Sequence, residues 1–255
     1  LNEGEIKLSS ISLTPKETAE ALIKAAQNKV AMTVQKRLLM SIMAGMYIAL
    51  GAQGFIVTFD NTFIRAAVFP VGLMLIVLVG GELFTGNCLM TFALLQKEIK
   101  ASNYASTLLQ VLAGNFIGGA LTAGLLYLGG IYNNPVMAER IIQIAEAKLS
   151  LPFMQVVSKG ILCNILVSLA VWFSITSKDT TGKILGCWFP VMLFVLCGYE
   201  HVVANMFYLP MASLLDSSIN IVNMTIKSLI PAAIGNYIGG GLLIPFIYNI
   251  VYFKD

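Results

Sequence analysis

Long uncharged runs, interrupted at a few polar positions, set the pattern of this chain. Leu38 to Phe59 carries no charge over 22 residues, enough to cross a hydrocarbon core of roughly 30 Å at about 1.5 Å per residue. A second run, Ala66 to Gly81, stops at Glu82 and resumes from Leu83 to Gln96. Neither half is long enough to cross alone, and together they exceed one straight span, so the pattern predicts a helix broken around GGELFTG. Tyr104 to Gly130 and Pro152 to Ser177 predict two unbroken spans. A fifth run repeats the interruption: Ile184 to Tyr199, then Glu200, then His201 to Leu215. Ser228 to Phe253 predicts the last span.

Residues 1–37 form a polar tail followed by an amphipathic helix. Thr14, Pro15 and Glu17 stand where an N-cap, a first-turn proline and a capping-box acid belong. Leu22, Ala26, Val30 and Val34 recur every four residues among Lys24, Lys29 and Lys36, which predicts a helix lying on the membrane surface or gating a passage beneath it. Within residues 131–150, AERIIQIAEAK predicts a second short surface helix ending at Lys148. The chain therefore divides into a tail and surface helix over 1–37 and a six-span membrane domain over 38–255. The tail has no apolar core of the kind a cleavable signal needs, so the first span serves as the insertion signal.

The interruptions repeat. Gly80, Glu82 and Asn87 in GGELFTGN match Gly198, Glu200 and Asn205 in GYEHVVAN, 118 positions later. GNFIGGAL in the third span matches GNYIGGGL in the sixth, 121 positions later, and the small residues of both permit close helix approach. Three spans per half is an odd number, so the second half enters the membrane upside down. That is the inverted-repeat plan of transporters and related channels. Eleven Lys and Arg fall on the side of the termini: six before the first span, Lys97 and Lys100, Lys178 and Lys183, and Lys254. The other side has Arg65, Arg140, Lys148 and Lys227. Both termini are expected in the cytoplasm.

Composition narrows the class. The chain is 57% apolar and 11% charged, against about 25% charged in a soluble domain, which makes it an integral membrane protein. The net charge of +3 sits mostly in short loops, and no basic patch interleaved with aromatics points to nucleic acid. Cys88, Cys163, Cys187 and Cys197 lie in apolar stretches without a C-x-x-C spacing and read as small core residues. With one histidine, the chain has too few ligands for a zinc or bis-histidine haem site. No nucleophile motif or cofactor fingerprint is present, so no enzyme activity, metal or cofactor is expected.

Each break leaves a half-helix start at mid-depth, where free N–H groups and about half a positive charge of macrodipole favour an anion. A bare anion in hydrocarbon faces a Born cost of order 20 kcal/mol, so something must neutralise it. His201 is the one group here that ordinarily titrates near neutral pH. It can balance charge or pass a proton, or else close the core as a neutral histidine bonded to Asn164 or Thr85. Glu200 is expected to bond the free N–H groups of the loop Leu83, Phe84, Thr85 and Gly86, with Glu82 doing the same at the other break. Asn87 and Asn205 are expected to cap the half-helices. Lys148 would concentrate anions at the outer mouth, while Lys159 snorkels to the interface. Phe69, Leu73, Leu83 and Phe194 are placed to form dry constrictions, or to serve as plain packing.

With GGELFTGN, GILCNILVSLAVW and GYEHVVANMFYLPM in this order, the chain closely resembles the formate/nitrite transporter family over residues 15–253. The resemblance implies an aquaporin-like fold of six spans, a homopentamer with one pore per protomer, and passage of small monovalent anions such as formate, nitrite or hydrosulfide. It implies His201 as the central pore histidine, Thr85 as the loop threonine facing it and Asn164 as the asparagine of the fourth span. Glu200 would hold the loop, Lys148 would be the vestibule lysine, and Phe69, Leu73, Leu83 and Phe194 the slit. The loop reads Phe-Thr-Gly-Asn where formate channels often have Phe-Thr-Ser. The whole is most similar to the hydrosulfide ion channel branch of anaerobic bacteria, which implies the bacterial inner membrane. An aquaporin-like neutral-solute channel would carry Asn-Pro-Ala at both breaks; here they read Asn87-Cys88-Leu89 and Asn205-Met206-Phe207.

Overall fold

A computed structural model of the chain describes residues 12–58 and 61–254. The polar tail before Ser12, the last residue expected in the first span, Phe59, and Asp60 of the next turn lie outside the described residues. Within them the chain is helical, apart from an isolated bridge between Ser12 and Ser177. The helices are α1 (Pro15–Ala31), α2 (Val34–Val57), α3 (Thr62–Val79), α4 (Phe84–Leu95) and α5 (Ala101–Leu128). They continue as α6 (Pro135–Ser150), α7 (Phe153–Thr176), α8 (Thr180–Leu196), α9 (Val202–Leu215) and α10 (Ile221–Phe253). Five of them, α2, α3, α5, α7 and α10, are long and apolar enough to cross a membrane. With α3–α4 and α8–α9 as the two broken spans, the six predicted spans are present.

The element starts are set by polar caps that an uncharged-run reading treats as loop. Thr33 Oγ1 accepts from Lys36 N at 3.3 Å, so α2 begins at Val34 and takes Val34 and Lys36 away from the surface helix. Asn61 Oδ1 accepts from Ile64 N at 3.1 Å, which starts α3 at Thr62 and makes it 18 residues, longer than the predicted half-span. Asn220 Oδ1 accepts from Asn223 N at 3.0 Å and starts α10 at Ile221, so that Lys227 lies within the helix. α4 tightens to a 3₁₀ turn over Cys88–Met90, and α10 widens to π turns over Thr225–Leu229 and Ile238–Leu243.

The start of α1 is the predicted capping box: Glu17 N donates to Thr14 Oγ1 at 3.3 Å and Thr14 N to Glu17 Oε2 at 2.7 Å. Its buried residues Thr18, Ala19, Leu22 and Ala26 pack on α4 and α7, beside Leu89, Phe92 and Trp172. Arg37 closes the other end. Its Nη2 donates to the carbonyls of Lys29, Val30 and Met32 at 3.2, 3.1 and 3.0 Å, at the end of the helix where carbonyls lose their ordinary i+4 partners.

The GN[FY]IGG repeat packs the two halves in the same way. A Cβ on Gly118 would overlap the Ile42 carbonyl of α2, and one on Gly239 the Ile161 carbonyl of α7. α5 thus lies backbone to backbone on α2, and α10 on α7. Cys88, Cys163 and Cys187 are buried as expected, whereas Cys197 is exposed, because it caps the end of α8 instead of facing the core.

Candidate functional site

Both breaks turn on a glycine in a left-handed conformation. Gly80 has φ of +105° and Gly198 of +65°, values that side-chain-bearing residues rarely adopt. Two residues later a backbone bond pins each return: Glu82 N to Met40 O at 3.1 Å, and Glu200 N to Lys159 O at 3.4 Å. Lys159 is half-buried and enters the site through this carbonyl. The half-helices α4 and α9 then start at Phe84 and Val202, with Leu83 and His201 as their cap residues.

Two buried asparagines bind these starts into the fold. Asn115 Oδ1 accepts from Phe84 N at 2.9 Å, while its Nδ2 donates to Ser41 O at 2.8 Å and Glu82 O at 2.9 Å. Asn236 repeats the pattern, accepting from Val202 N at 2.9 Å and donating to Gly160 O and Glu200 O, both at 2.8 Å. Each amide thereby ties a half-helix tip, the preceding loop and a neighbouring span. These two residues were missed in the sequence, although their signal was present: they are the Asn of GNFIGGAL and GNYIGGGL, read there only as small-residue packing motifs.

The carboxylates act differently from expectation. Glu200 does not bond the loop N–H groups; its oxygens accept from Lys148 Nζ at 3.0 and 2.9 Å and from Asn205 Nδ2 at 2.8 Å. Glu82 accepts from Lys29 Nζ and from Asn87 Nδ2, both at 2.6 Å. Asn87 and Asn205 therefore are not caps: each is the fourth residue of its half-helix, facing back to the glutamate five residues earlier. The physical reason is reach, since the asparagines already take the first N–H and the lysines supply the charge that a buried carboxylate needs. Lys148 is correspondingly not a free cation at the mouth but half of an ion pair, with its side chain 15% exposed and that of Glu200 5%.

His201, Thr85 and Asn164 come together between the tips. Ala204 N donates to His201 Nδ1 at 3.2 Å, so the histidine caps its own half-helix. An Nδ1 that accepts leaves the proton of the neutral ring on Nε2, which faces Thr85 Oγ1 at 3.1 Å. The Thr85 hydroxyl proton is then directed elsewhere. Asn164 bonds backbone rather than the ring or the hydroxyl: its Nδ2 donates to the carbonyls of Thr85 at 3.2 Å and Asn236 at 2.6 Å. The Phe194 ring stacks on His201 at 5.6 Å between centroids and meets Phe69 edge-on at 5.7 Å.

Cavities flank this centre. The first, about 390 Å³, opens among α1, α3, α4 and α7 and includes Lys29, Lys183, Leu73 and Leu83 in its wall. The second, about 240 Å³, opens among α2, α3, α6, α8 and α9 and includes Arg65, Lys148, Glu200, Phe69, Phe194 and His201. Between them is a slit of about 10 Å³ bounded by Phe69, Leu73, Leu83, Phe194 and His201 with three aliphatic neighbours, room for about one water. The four residues placed as constrictions are thus brought to one narrow point, all of them buried.

Half-spans meeting tip to tip in an apolar bundle, with a cavity at each end and a dry slit between, define a membrane channel or transporter. The chain belongs to the formate/nitrite transporter family, whose description, Formate/nitrite transporter, matches residues 16–250. It is 39% identical over 251 residues to an uncharacterized transporter, YrhG, of Bacillus subtilis (strain 168), covering 94% of each chain. It is 35% identical over 252 residues to the formate channel BtFdhC of Bacillus thuringiensis, covering 94% of this chain and 96% of that one. Two solved structures share the fold. An FNT family ion channel matches with a TM-score of 0.85 and 25% identity over 92% of this chain and 98% of that one. A pentameric formate channel with formate bound matches with a TM-score of 0.76 and 27% identity over 87% and 98%. The protein is a membrane transport protein and not an enzyme.

Proposed function

We propose that this chain is a channel for small monovalent anions of weak acids, with hydrosulfide its favoured substrate and formate and nitrite the alternatives. In this reading it works in the bacterial inner membrane as a homopentamer with both termini cytoplasmic, so that the first cavity faces the cytoplasm. The tail and α1 form the cytoplasmic part and residues 38–255 the channel domain. Support comes from relatives described as formate channels, one of them pentameric, and from the lysine and arginine bias toward the terminal side. The carrying observation is that His201, whose Nε2 meets Thr85 Oγ1, lines an otherwise apolar slit between two cavities.

Magnitudes choose the form in which the substrate crosses. A bare anion in the slit faces an idealised cost of about 20 kcal/mol. Holding a carboxylic acid of ordinary pKa, about 4, in its neutral form at pH 7 costs about 4 kcal/mol. For hydrogen sulfide, which titrates near neutrality, that cost falls below about 1 kcal/mol. The neutral acid is the form that passes, and the balance favours hydrosulfide. Lys183 in the wall of the first cavity raises the anion concentration there, while Lys29 and Lys148 are held by Glu82 and Glu200. Thr85 Oγ1–H and His201 Nε2–H then hold the anion beside the half-helix tips while it takes a proton from cavity water, leaving hydroxide to the bulk. Balancing the anion with an imidazolium would require a proton on Nδ1 in place of the Ala204 bond, facing the positive end of α9. His201 accordingly acts as a neutral donor, and Asn164 positions Thr85 through its carbonyl.

Proteoliposomes loaded with formate, nitrite or hydrosulfide test this reading. Wild type is expected to pass all three, hydrosulfide fastest at pH 7, while His201→Ala and His201→Asn lose flux or selectivity as pH is varied. Unchanged flux and selectivity in both variants would remove His201 from the mechanism. Uphill anion uptake driven by a pH gradient would mark a proton-coupled transporter using the same site.

A further inference from the structure

The two cavities receive the same stripe of their half-helices. Leu83, Gly86, Asn87 and Met90 line the first, and His201, Ala204, Asn205 and Tyr208 line the second. The spacing i, i+3, i+4, i+7 from the cap residue onward is one helix face, and each pair is related by the 118-residue frame of the repeat. Gly86 and Ala204 are both small, and Asn87 and Asn205 both bind a glutamate. The repeat fails on this stripe at two places, Leu83 against His201 and Met90 against Tyr208, and in both the polar member stands on α9. His201 has its place at the slit, whereas Tyr208 has no part in the passage described so far.

Packing accounts for the ring of Tyr208 but not for its hydroxyl. The ring meets Phe55 edge-on at 6.4 Å between centroids, and its centroid lies 5.6 Å from Lys148 Nζ. Tyr208 is only 5% exposed, and a buried tyrosine hydroxyl ordinarily finds a partner. Those of Tyr132 and Tyr104 do, with Gln53 at 2.6 Å and Thr91 at 2.7 Å. The Tyr208 hydroxyl makes no hydrogen bond among the described residues, and its side chain stands in the wall of the second cavity. Lys148 stands in the same wall. Its ammonium has three N–H groups, of which the two Glu200 oxygens take two, so one is left over.

We propose that the Tyr208 hydroxyl and the third N–H of Lys148 form an outer docking site for a small oxyanion, where the substrate waits before it meets His201 about 10 Å further along α9 at roughly 1.5 Å per residue. This rests on the slit being the passage. Two donors bordering one space recognise oxygen acceptors, and sulfur accepts hydrogen bonds only weakly, so the site holds formate or nitrite and lets hydrosulfide by. In the first cavity the thioether of Met90 stands at the corresponding position and has no proton to donate. The docking site therefore exists on one face of the channel alone.

Nitrate is a suitable probe because it is a small planar oxyanion that stays ionised and so does not pass the slit as a neutral acid. Formate uptake would be followed in right-side-out and in inverted membrane vesicles carrying the full chain, with nitrate added outside. Nitrate is expected to compete with formate in right-side-out vesicles and not in inverted ones. Tyr208→Phe keeps the ring beside Phe55 and Lys148 and removes the hydroxyl alone, so about tenfold more nitrate should be needed for the same inhibition, with the unfolding temperature in detergent unchanged. Tyr208→Met, which copies Met90, should weaken inhibition at least as much. Inhibition unaltered in both variants, or as strong in inverted vesicles as in right-side-out ones, would overturn the proposal. Calorimetric titration of the purified protein with nitrate separates the site from the passage. Binding weakened by Tyr208→Phe without any inhibition of formate uptake keeps the site and sinks the slit as the passage. Formate uptake with no nitrate binding keeps the channel and sinks the site.

Discussion

Lys148 and Glu200 are unequal partners, because the carboxylate side chain is 5% exposed and the lysine 15%. Removing the lysine strands a buried charge on the Asn205 amide alone, a loss that typically costs about 3–5 kcal/mol. Glu200→Gln leaves an oxygen for Lys148 or Asn205 and lets the ammonium turn toward the cavity. Lys148→Met is therefore expected to lower the unfolding temperature in detergent well below that of Glu200→Gln, and equal temperatures would show that burial does not set the pair's energetics. The two hinge glycines differ in a similar way. Gly198 at φ +65° lies in the left-handed helical region, where a side chain costs about 1–2 kcal/mol, and a Cβ there meets nothing within 4 Å. Gly80, at φ +105° and ψ +133°, lies outside any region that side-chain-bearing residues populate. Gly198→Ala should fold with a small loss of stability while Gly80→Ala fails to accumulate in the membrane, as read by expression and thermal unfolding.

Among the elements, α1 was legible at its start and not at its end. Thr14 and Glu17 announce the capping box in four residues of sequence, whereas the end at Ala31 depends on Thr33 capping α2 and on Arg37 folding back over three carbonyls. A polar cap inside a greasy stretch carries too little local signal to move a boundary, which is why α2, α3 and α10 all start earlier than their uncharged runs. Both ends of α1 can be tested by hydrogen exchange. Arg37→Gln should speed exchange over the last turn of α1 and leave α5 unchanged. At the other end, bonds from Thr14 backbone and side chain hold Glu17 below its ordinary value. A carboxylate lowered in the folded state stabilises above its unfolded pKa, and the effect is lost as pH falls through the lowered one. The first turn of α1 should therefore fray in acid below the ordinary glutamate range, and Glu17→Gln should fray already at neutral pH. Fraying in wild type that does not depend on pH would show that the capping box does not hold the turn.

At the scale of the whole molecule, the repeat covers more than the sequence frame disclosed. Lys29 and Lys148, 119 positions apart, pair with Glu82 and Glu200, so α1 and α6 are repeat mates and each half begins with a helix that brings a lysine to a glutamate. The broken spans and the inverted plan could be read because Gly, Glu and Asn recur in a strict frame. The lysines could not, because nothing in an amphipathic helix says where its charges end up. The chemistry lies where the repeat fails: Leu83 and His201 occupy the same cap position at the two breaks. One slit wall is thus apolar while the other carries a donor, an arrangement suited to a neutral acid and not to a fixed charge. Crossing as the neutral acid fixes how flux responds to pH and to acid strength. Formate flux in proteoliposomes should rise about tenfold for each unit that pH falls while pH stays well above the acid's pKa, whereas hydrosulfide flux should level off near neutrality. Nitrate, whose acid is too strong to be protonated, should be excluded despite its size. Nitrate flux comparable to that of formate would mean that charge itself crosses the slit, and the balance between desolvation and protonation drawn here would then be reversed.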